Sequence, residues 1–132
     1  SGYDVSFTPA AVDRRKAQYI YPDGDFYYFM DSDTFDQFPM GAEQLGDTLD
    51  FMIEQTEVEL IFFEDNPISL ELPTTVDLKV VDSPPGVKGD TAQGATKLAT
   101  LETGFGLQVP LFVNQGDVIK VDTRTGSYIA RV

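Results

Sequence analysis

The stretch VKGDTAQGATK, residues 87–97, has the spacing most suggestive of ligand chemistry in this sequence. Gly89 and Gly94 are separated like the two glycines of a phosphate-binding P-loop, whose backbone amides hold the phosphates of a nucleotide. However, Ala95-Thr96 stands where that loop requires Lys followed by Ser or Thr, and a β-prone stretch follows where a helix is required. The spacing therefore does not support nucleotide hydrolysis.

The same stretch is suited to RNA contacts. Its small residues leave backbone amides accessible, and threonine hydroxyls lie between Lys88 and Lys97. Amides and hydroxyls recognise bases and sugars, and lysine contacts phosphates, so such a loop can bind RNA without a large net charge. A plain connecting loop has the same composition, and both interpretations remain open.

Acidic side chains offer two further kinds of chemistry. The segment DSDTFD brings Asp31, Asp33 and Asp36 together as in a calcium loop, but it lacks that loop's central glycine and its glutamate at the twelfth position. We interpret it as a solvated acidic turn and expect no metal site. Paired carboxylates also hydrolyse glycosides, but every acidic chain offers such pairs, so carboxylate-based hydrolysis is only a formal alternative.

Aromatic side chains are concentrated in one segment and could form a base-stacking surface like those of OB folds. They are Tyr19, Tyr21, Phe26, Tyr27, Tyr28 and Phe29. Their surroundings are strongly acidic, whereas affinity for nucleic acid depends mainly on neutralising phosphates. We therefore expect these residues to form barrel core and protein-facing surface.

The C-terminal segment VIKVDTRTGSYIARV predicts a hairpin that carries basic residues. If its turn near residues 123–126 contains an even number of residues, strand alternation places Lys120 and Arg131 on one face. Arg124 at the turn then completes a basic stripe suited to a phosphate backbone. Ordinary solvated surface charges would give the same composition.

The composition excludes much of enzyme chemistry. The 132 residues include no histidine and no cysteine, which removes the commonest general base, thiolate nucleophiles, thiolate metal sites and disulfides. No apolar run approaches the ~18 residues of a membrane span, and we expect no signal peptide. We expect a cytoplasmic protein with no membrane partner and no cofactor.

The acidic excess lies in the first half of the chain. Residues 1–72 contain 16 acidic and three basic residues, whereas residues 73–132 contain six of each, so the first half carries the whole formal charge of −13. This asymmetry predicts two modules, of which the neutral second one is better suited to approach a polyanion.

Turn signals and alternating apolar residues predict an all-β protein. Hairpins are expected around Asp23-Gly24, as a type I′ turn, and across Glu64–Pro67, while AEQLGDTLDFMI between them has the periodicity of a short amphipathic helix. We therefore predict two consecutive OB-type five-stranded β-barrels, the first with a short helix between strand pairs. The acidic barrel is assigned to residues 1–72 and the C-terminal barrel to residues 73–132.

Several long segments carry a family resemblance. The segments PGVKGDTAQGATKLATLETG, VPLFVNQGDVIKVDTRTG, QYIYPDGDFYYFMD, EQLGDTLDF and SYIARV closely resemble stretches of bacterial elongation factor P. The resemblance extends over essentially the whole chain. It covers the second and third domains of that family, both OB-type barrels, and does not cover the first.

The resemblance implies a non-enzymatic translation factor. Members of the family bind the bacterial ribosome between the peptidyl-tRNA (P) and exit (E) sites and promote peptide-bond formation at consecutive prolines, using a modified loop-tip residue of the first domain. The present chain would supply docking to P-site tRNA, to the E-site mRNA codon and to ribosomal proteins. We expect it to be a monomer.

The resemblance also implies RNA-binding residues. The family's Gly-Asp-Thr loop corresponds to Gly89, Asp90 and Thr91, which would face the codon in the E site. Tyr128 and Arg131 match the family's C-terminal hairpin, expected near the anticodon stem of P-site tRNA and small-subunit RNA. To these, charge and position add Lys88, Lys97 and Arg124.

Two alternatives remain beside this interpretation. A paralogue, the elongation factor P-like protein, has the same architecture. A generic pair of OB folds would bind free single-stranded nucleic acid with a steep salt dependence, which the negative charge disfavours.

Overall fold

The computed structural model describes residues 12–85 and 95–132, which form two five-stranded antiparallel sheets and one short α-helix. Contacts along the chain divide it into two compact units. Within the described ranges, the first unit comprises residues 12–46 and 54–72, and the second comprises residues 47–53, 73–85 and 95–132. The short segment 47–53 thus groups with the second unit, although residues of the first unit flank it in sequence.

The first unit is a curled sheet around an aromatic core. Its strands are β1 (Val12–Asp23), β2 (Phe26–Asp31), β3 (Gln37–Gly41), β4 (Glu57–Phe63) and β5 (Asn66–Glu71). They pair in the order β3-β2-β1-β4-β5, and β3 and β5 approach each other so that the sheet curls toward closure. The side chains of Phe29, Met40, Leu60 and Phe62 are fully buried inside it.

Two tight turns connect the strands of the two hairpins in the first unit. Asp23 pairs with Phe26, so the β1–β2 loop is Gly24-Asp25, one residue later than predicted. Only Gly24 has a positive φ there (61°), which fits a type II′ turn and not the predicted type I′. The β4–β5 loop is Glu64-Asp65, and both residues have positive φ (51° and 67°), as a type I′ turn requires.

The helical segment between β3 and β4 is shorter than its periodicity suggests. Helix α1 (Ala42–Leu45) makes a single turn and is followed by a 3-10 helix, η1 (Gly46–Phe51). The α-helix ends because Gly46 adopts φ 52° and ψ −131°, outside the helical region. The predicted amphipathic helix is therefore split into two short helical elements. The prediction of a short helix in the first barrel is confirmed.

The second unit repeats the connectivity of the first. Its strands are β6 (Thr75–Asp82), β7 (Thr96–Leu101), β8 (Gly106–Pro110), β9 (Val118–Asp122) and β10 (Ser127–Arg131). They pair in the order β10-β9-β6-β7-β8, and β8 approaches β10. In each sheet the first strand is central and lies between the second and fourth, as in a Greek-key OB barrel. Two consecutive OB-type units are thus confirmed.

A β-bulge overturns the expected basic stripe on the C-terminal hairpin. The loop 123–126 has an even number of residues, because Asp122 pairs with Ser127. However, the register shifts between Lys120 and Val121, so that Lys120 pairs with Ala130 and Arg131 pairs with Ile119. Since directly paired residues share a face, the extra residue places Lys120 and Arg131 on opposite faces.

Candidate nucleic-acid interface

The predicted RNA-binding residues fall into three groups. Lys88, Gly89, Asp90 and Thr91 lie outside the described residues. Lys97 lies on β7. Arg124, Tyr128 and Arg131 lie on the C-terminal hairpin and form the candidate interface, which we call the hairpin surface.

Lys97 is buried within the second unit. Its exposed fraction is 8%, and its Nζ donates a hydrogen bond of 2.7 Å to the carbonyl oxygen of Pro84. The side chain thus joins the start of β7 to the segment after β6. Its ammonium group is engaged within the protein, so its predicted RNA contact has no support from its placement.

The hairpin loop is anchored to the start of the second unit. The backbone N–H of Thr123 donates to the carbonyl oxygen of Thr74 at 3.0 Å, and the Thr123 hydroxyl donates to the carbonyl oxygen of Pro73 at 2.5 Å. These bonds fix the base of the loop. They thereby position Arg124, whose side chain is 74% exposed.

Arg124 is paired with a neighbouring carboxylate. Its backbone N–H donates to Oδ1 of Asp122 at 2.8 Å, and its Nη2 lies 3.4 Å from Oδ2 of the same residue. These bonds, the backbone one most strongly, hold the pKa of the Asp122 carboxyl below its ordinary value. The carboxylate orients the guanidinium, while the exposed side chain keeps other donors free for a phosphate.

Arg131 is held at the other end of β10. Its guanidinium carbon lies 5.0 Å from the ring centre of Phe112, its Nη1 donates to the carbonyl oxygen of Phe112 at 3.4 Å, and the same atom lies 3.6 Å from Oδ2 of Asp117. The side chain is 47% exposed. Ring and carboxylate therefore preorganise a guanidinium that still faces solvent.

Tyr128 lies between the two arginines, beside an open depression. The depression has a volume of about 450 Å³ and is lined by residues of β7, β8 and the C-terminal hairpin. Among them are Thr96, Gln108, Ser127 and Tyr128. The Thr96 hydroxyl is already bonded to Oε1 of Gln108 at 2.8 Å. An aromatic ring beside hydroxyl and amide groups can contact a base or a ribose.

The hairpin surface is an array of ion pairs and not a field of positive charge. Arg124 lies in the loop before β10 and Arg131 at the far end of that strand, and each has an acidic partner. Lys120, on the other face, is paired with Asp77 at 3.5 Å. Because exposed ion pairs contribute only about 0–1 kcal/mol, a phosphate can exchange for a carboxylate at little cost. The surface can therefore recognise RNA through oriented donors.

In the first unit, the acidic turn DSDTFD is stabilised by Asp31. Oδ1 of Asp31 accepts the backbone N–H groups of Thr34 (3.0 Å) and Asp33 (2.8 Å), which lower the pKa of its carboxyl. Asp31 thus stabilises the turn.

Among residues 12–85 and 95–132, no three acidic side chains cluster as metal ligands. Within those ranges, no helix has the length and apolarity needed to cross a membrane.

The aromatic segment, predicted to form barrel core and protein-facing surface, is divided between the core and the surface of the first unit. Tyr19 and Phe29 are buried, with ring centres 5.4 Å apart, whereas Tyr21 and Phe26 are 40% and 50% exposed. The first pair is core, as expected. The second pair lies at the surface, where its role stays a prediction.

Sequence reasoning missed the residues that orient the two arginines. They are Asp117, Asp122 and Phe112. The Asp-Thr-Arg sequence was a usable signal for Asp122, because aspartate often accepts the backbone N–H two residues later in a turn. For Phe112 and Asp117 the signal is absent, since only the fold brings them to Arg131.

The fold defines a class of protein, a tandem of two OB-type barrels. A family model described as the elongation factor P (EF-P) OB domain matches residues 12–70, and one described as elongation factor P, C-terminal, matches residues 76–131. The chain belongs to the elongation factor P family.

Individual relatives support the same family assignment. The chain is 57% identical to the elongation factor P of Carboxydothermus hydrogenoformans over 93% of its length and 66% of that protein. It is 48% identical to that of Clostridioides difficile over 96% of the chain and 68% of that protein, and 52% identical to that of Thermotoga petrophila over 92% and 66%. The chain thus spans about two thirds of these relatives.

Proposed function

We propose that this chain is the two-barrel portion of a translation elongation factor that binds the bacterial ribosome between the P and E sites. As part of the longer protein it assists peptide-bond formation at consecutive prolines. Its own contribution is docking to P-site tRNA, to the E-site codon and to ribosomal proteins, as a monomer in the cytoplasm and without catalytic groups of its own.

The observation that carries this proposal is the match of both barrels to the two domain models of one translation factor family. The geometry of the hairpin surface supports it. Arg124 and Arg131 are exposed but oriented by carboxylates, so they present donors of defined direction. Such groups suit a structured RNA, whose phosphates lie at fixed positions.

Roles are proposed for the remaining residues by family correspondence. Gly89, Asp90 and Thr91 would face the E-site codon, with Lys88 beside them. Tyr128 and Arg131 would lie near the anticodon stem of P-site tRNA. We leave Lys97 out of the RNA-binding set, because its ammonium is bonded to Pro84 inside the second unit.

Co-sedimentation with ribosomes that carry tRNA in the P site tests the proposal. We expect Arg124→Ala, and separately a triple alanine variant at Gly89, Asp90 and Thr91, to weaken binding about fivefold or more, the cost of a lost charge-assisted hydrogen bond. Lys79→Ala is the matched control for Arg124→Ala, since it removes one exposed positive charge from β6. Lys79 pairs with Val118 at the start of β9, whereas Arg124 follows the end of β9.

Two results would contradict the proposal. One is undiminished binding of both test variants. The other is an equal loss in Arg124→Ala and Lys79→Ala, which would mean that only the net charge of the second unit matters.

A further inference from the structure

Aromatic rings form an exposed strip on the outer face of the first unit. Tyr21 on β1 pairs with Tyr28 on β2, and their rings are stacked with centres 4.9 Å apart and planes 9° apart. Phe26 lies two residues from Tyr28 along β2 and therefore on the same face. Tyr21 is 40% exposed and Phe26 50%. We call Tyr21, Phe26 and Tyr28 the aromatic strip.

A β-bulge turns the strip outward. The pairing of β1 with β2 shifts register between Tyr19 and Tyr21. Tyr19 is buried, and regular alternation would place Tyr21 on the same inner face. The extra residue instead places Tyr21 beside Tyr28 at the surface. Stacked rings exposed in this way are typical of an interaction surface.

The surroundings of the strip are negative. Asp23 ends β1 and pairs with Phe26, and Asp25 precedes Phe26 in the β1–β2 loop, so both acidic residues neighbour Phe26 in the hairpin. Within residues 12–85 and 95–132, neither carboxylate forms an ion pair. A polyanion would be repelled from this acidic unit, whereas a cation would find carboxylates without a partner.

The chain itself shows how arginine binds such surroundings. The guanidinium of Arg15 lies 4.3 Å from the ring centre of Phe62, and that of Arg131 lies 5.0 Å from Phe112. Nη1 of Arg14 lies 2.9 Å from carboxylate oxygens of both Glu59 and Glu71. Rings and carboxylates are the two groups that the exposed strip offers.

We propose that the aromatic strip, together with Asp23 and Asp25, binds an arginine-rich segment of a protein partner. A planar guanidinium stacks on a tyrosine ring and bonds a carboxylate at the same time, which the ammonium of lysine does less well. The inference deepens the proposed function, because it rests on the ribosome supplying this partner from its basic proteins.

Nuclear magnetic resonance titration of this chain with synthetic octa-arginine and octa-lysine peptides tests the inference without a ribosome. At 0.15 M salt we expect octa-arginine to shift the resonances of Tyr21, Phe26 and Tyr28. The double variant Tyr21→Ser, Tyr28→Ser should bind octa-arginine about tenfold more weakly, with a much smaller change for octa-lysine. Phe35→Asn is the matched control, because it removes a 66% exposed ring elsewhere, at a positive φ that asparagine tolerates.

Three results would overturn the inference. Equal octa-arginine affinity of wild type and double variant would mean that charge alone attracts the peptide. Equal loss in Phe35→Asn would mean that the effect does not belong to the strip. Shifts of the strip resonances by an eight-nucleotide single-stranded RNA, and not by octa-arginine, would make the strip a base-stacking surface.

A second double variant tests the inference if Tyr21→Ser, Tyr28→Ser does not fold. Asp23→Asn, Asp25→Asn leaves the rings in place and should weaken octa-arginine binding about fivefold; unchanged affinity would overturn the inference. If octa-arginine binds the aromatic strip but the chain does not bind ribosomes, the proposed function alone is contradicted. If the chain binds ribosomes but octa-arginine does not bind the strip, this inference alone is contradicted.

Discussion

Gly126 lies in the loop of the C-terminal hairpin and packs closely against Phe105 of the same unit. Its φ is 75°, a conformation that side chains disfavour. A Cβ at this position would lie 2.9 Å from Cζ of Phe105, whose ring packs on Phe51 with centres 5.0 Å apart. Conformation and space both favour glycine at this position, two residues after Arg124.

Substitution of Gly126 by alanine separates these two effects when it is compared with Gly116→Ala. Gly116 has φ 96° and no atom within 4 Å of an added Cβ, so alanine there causes backbone strain alone. We expect Gly126→Ala to lower the free energy of unfolding by at least about 1 kcal/mol more, because Phe105 must move. Urea denaturation measures both losses. Equal losses would show that the ring yields freely.

At the scale of the strands, two β-bulges decide which residues are presented. The bulge after Tyr19 exposes Tyr21, and the bulge in β10 separates Arg131 from Lys120. Both reverse the face that strict alternation assigns. Both proposed interaction surfaces thus depend on irregularities of the strands.

The strands and the OB topology followed from the sequence, whereas parts of the site did not. Alternation and turn residues mark the hairpins around Gly24 and Glu64 to within a residue or two. Bulges leave no comparable local signal, so the predicted face of Arg131 was wrong. Lys97 could not be recognised as buried, because its partner Pro84 is reached only through the tertiary fold.

Lys97 connects β7 to the segment that follows β6 through its bond to Pro84, and the contribution of this bond to stability can be measured. Lys97→Met keeps the apolar stem but loses the 2.7 Å bond to Pro84. We expect a loss of about 1 kcal/mol in the free energy of unfolding, the usual net value of such a bond. The exposed Lys79→Met is the control and should change stability by no more than ~0.5 kcal/mol. If both variants are equally stable, the bond contributes nothing.

Across the whole chain, charge is divided between the two halves of the sequence, residues 1–72 and 73–132. The half with the acidic excess carries the aromatic strip, and the neutral half carries the hairpin surface and the Gly-Asp-Thr sequence. In the proposed function, one surface of this chain binds basic proteins and the other binds RNA. Ion pairs limit nonspecific attraction to phosphates, which favours a partner with a defined shape.

Binding of this chain to ribosomes of defined tRNA occupancy tests the central claim most directly. We expect binding to ribosomes with tRNA in the P site and an empty E site, and about tenfold weaker binding when the P site is empty or tRNA fills the E site. Equal binding to all three kinds of ribosome would contradict docking between the P and E sites.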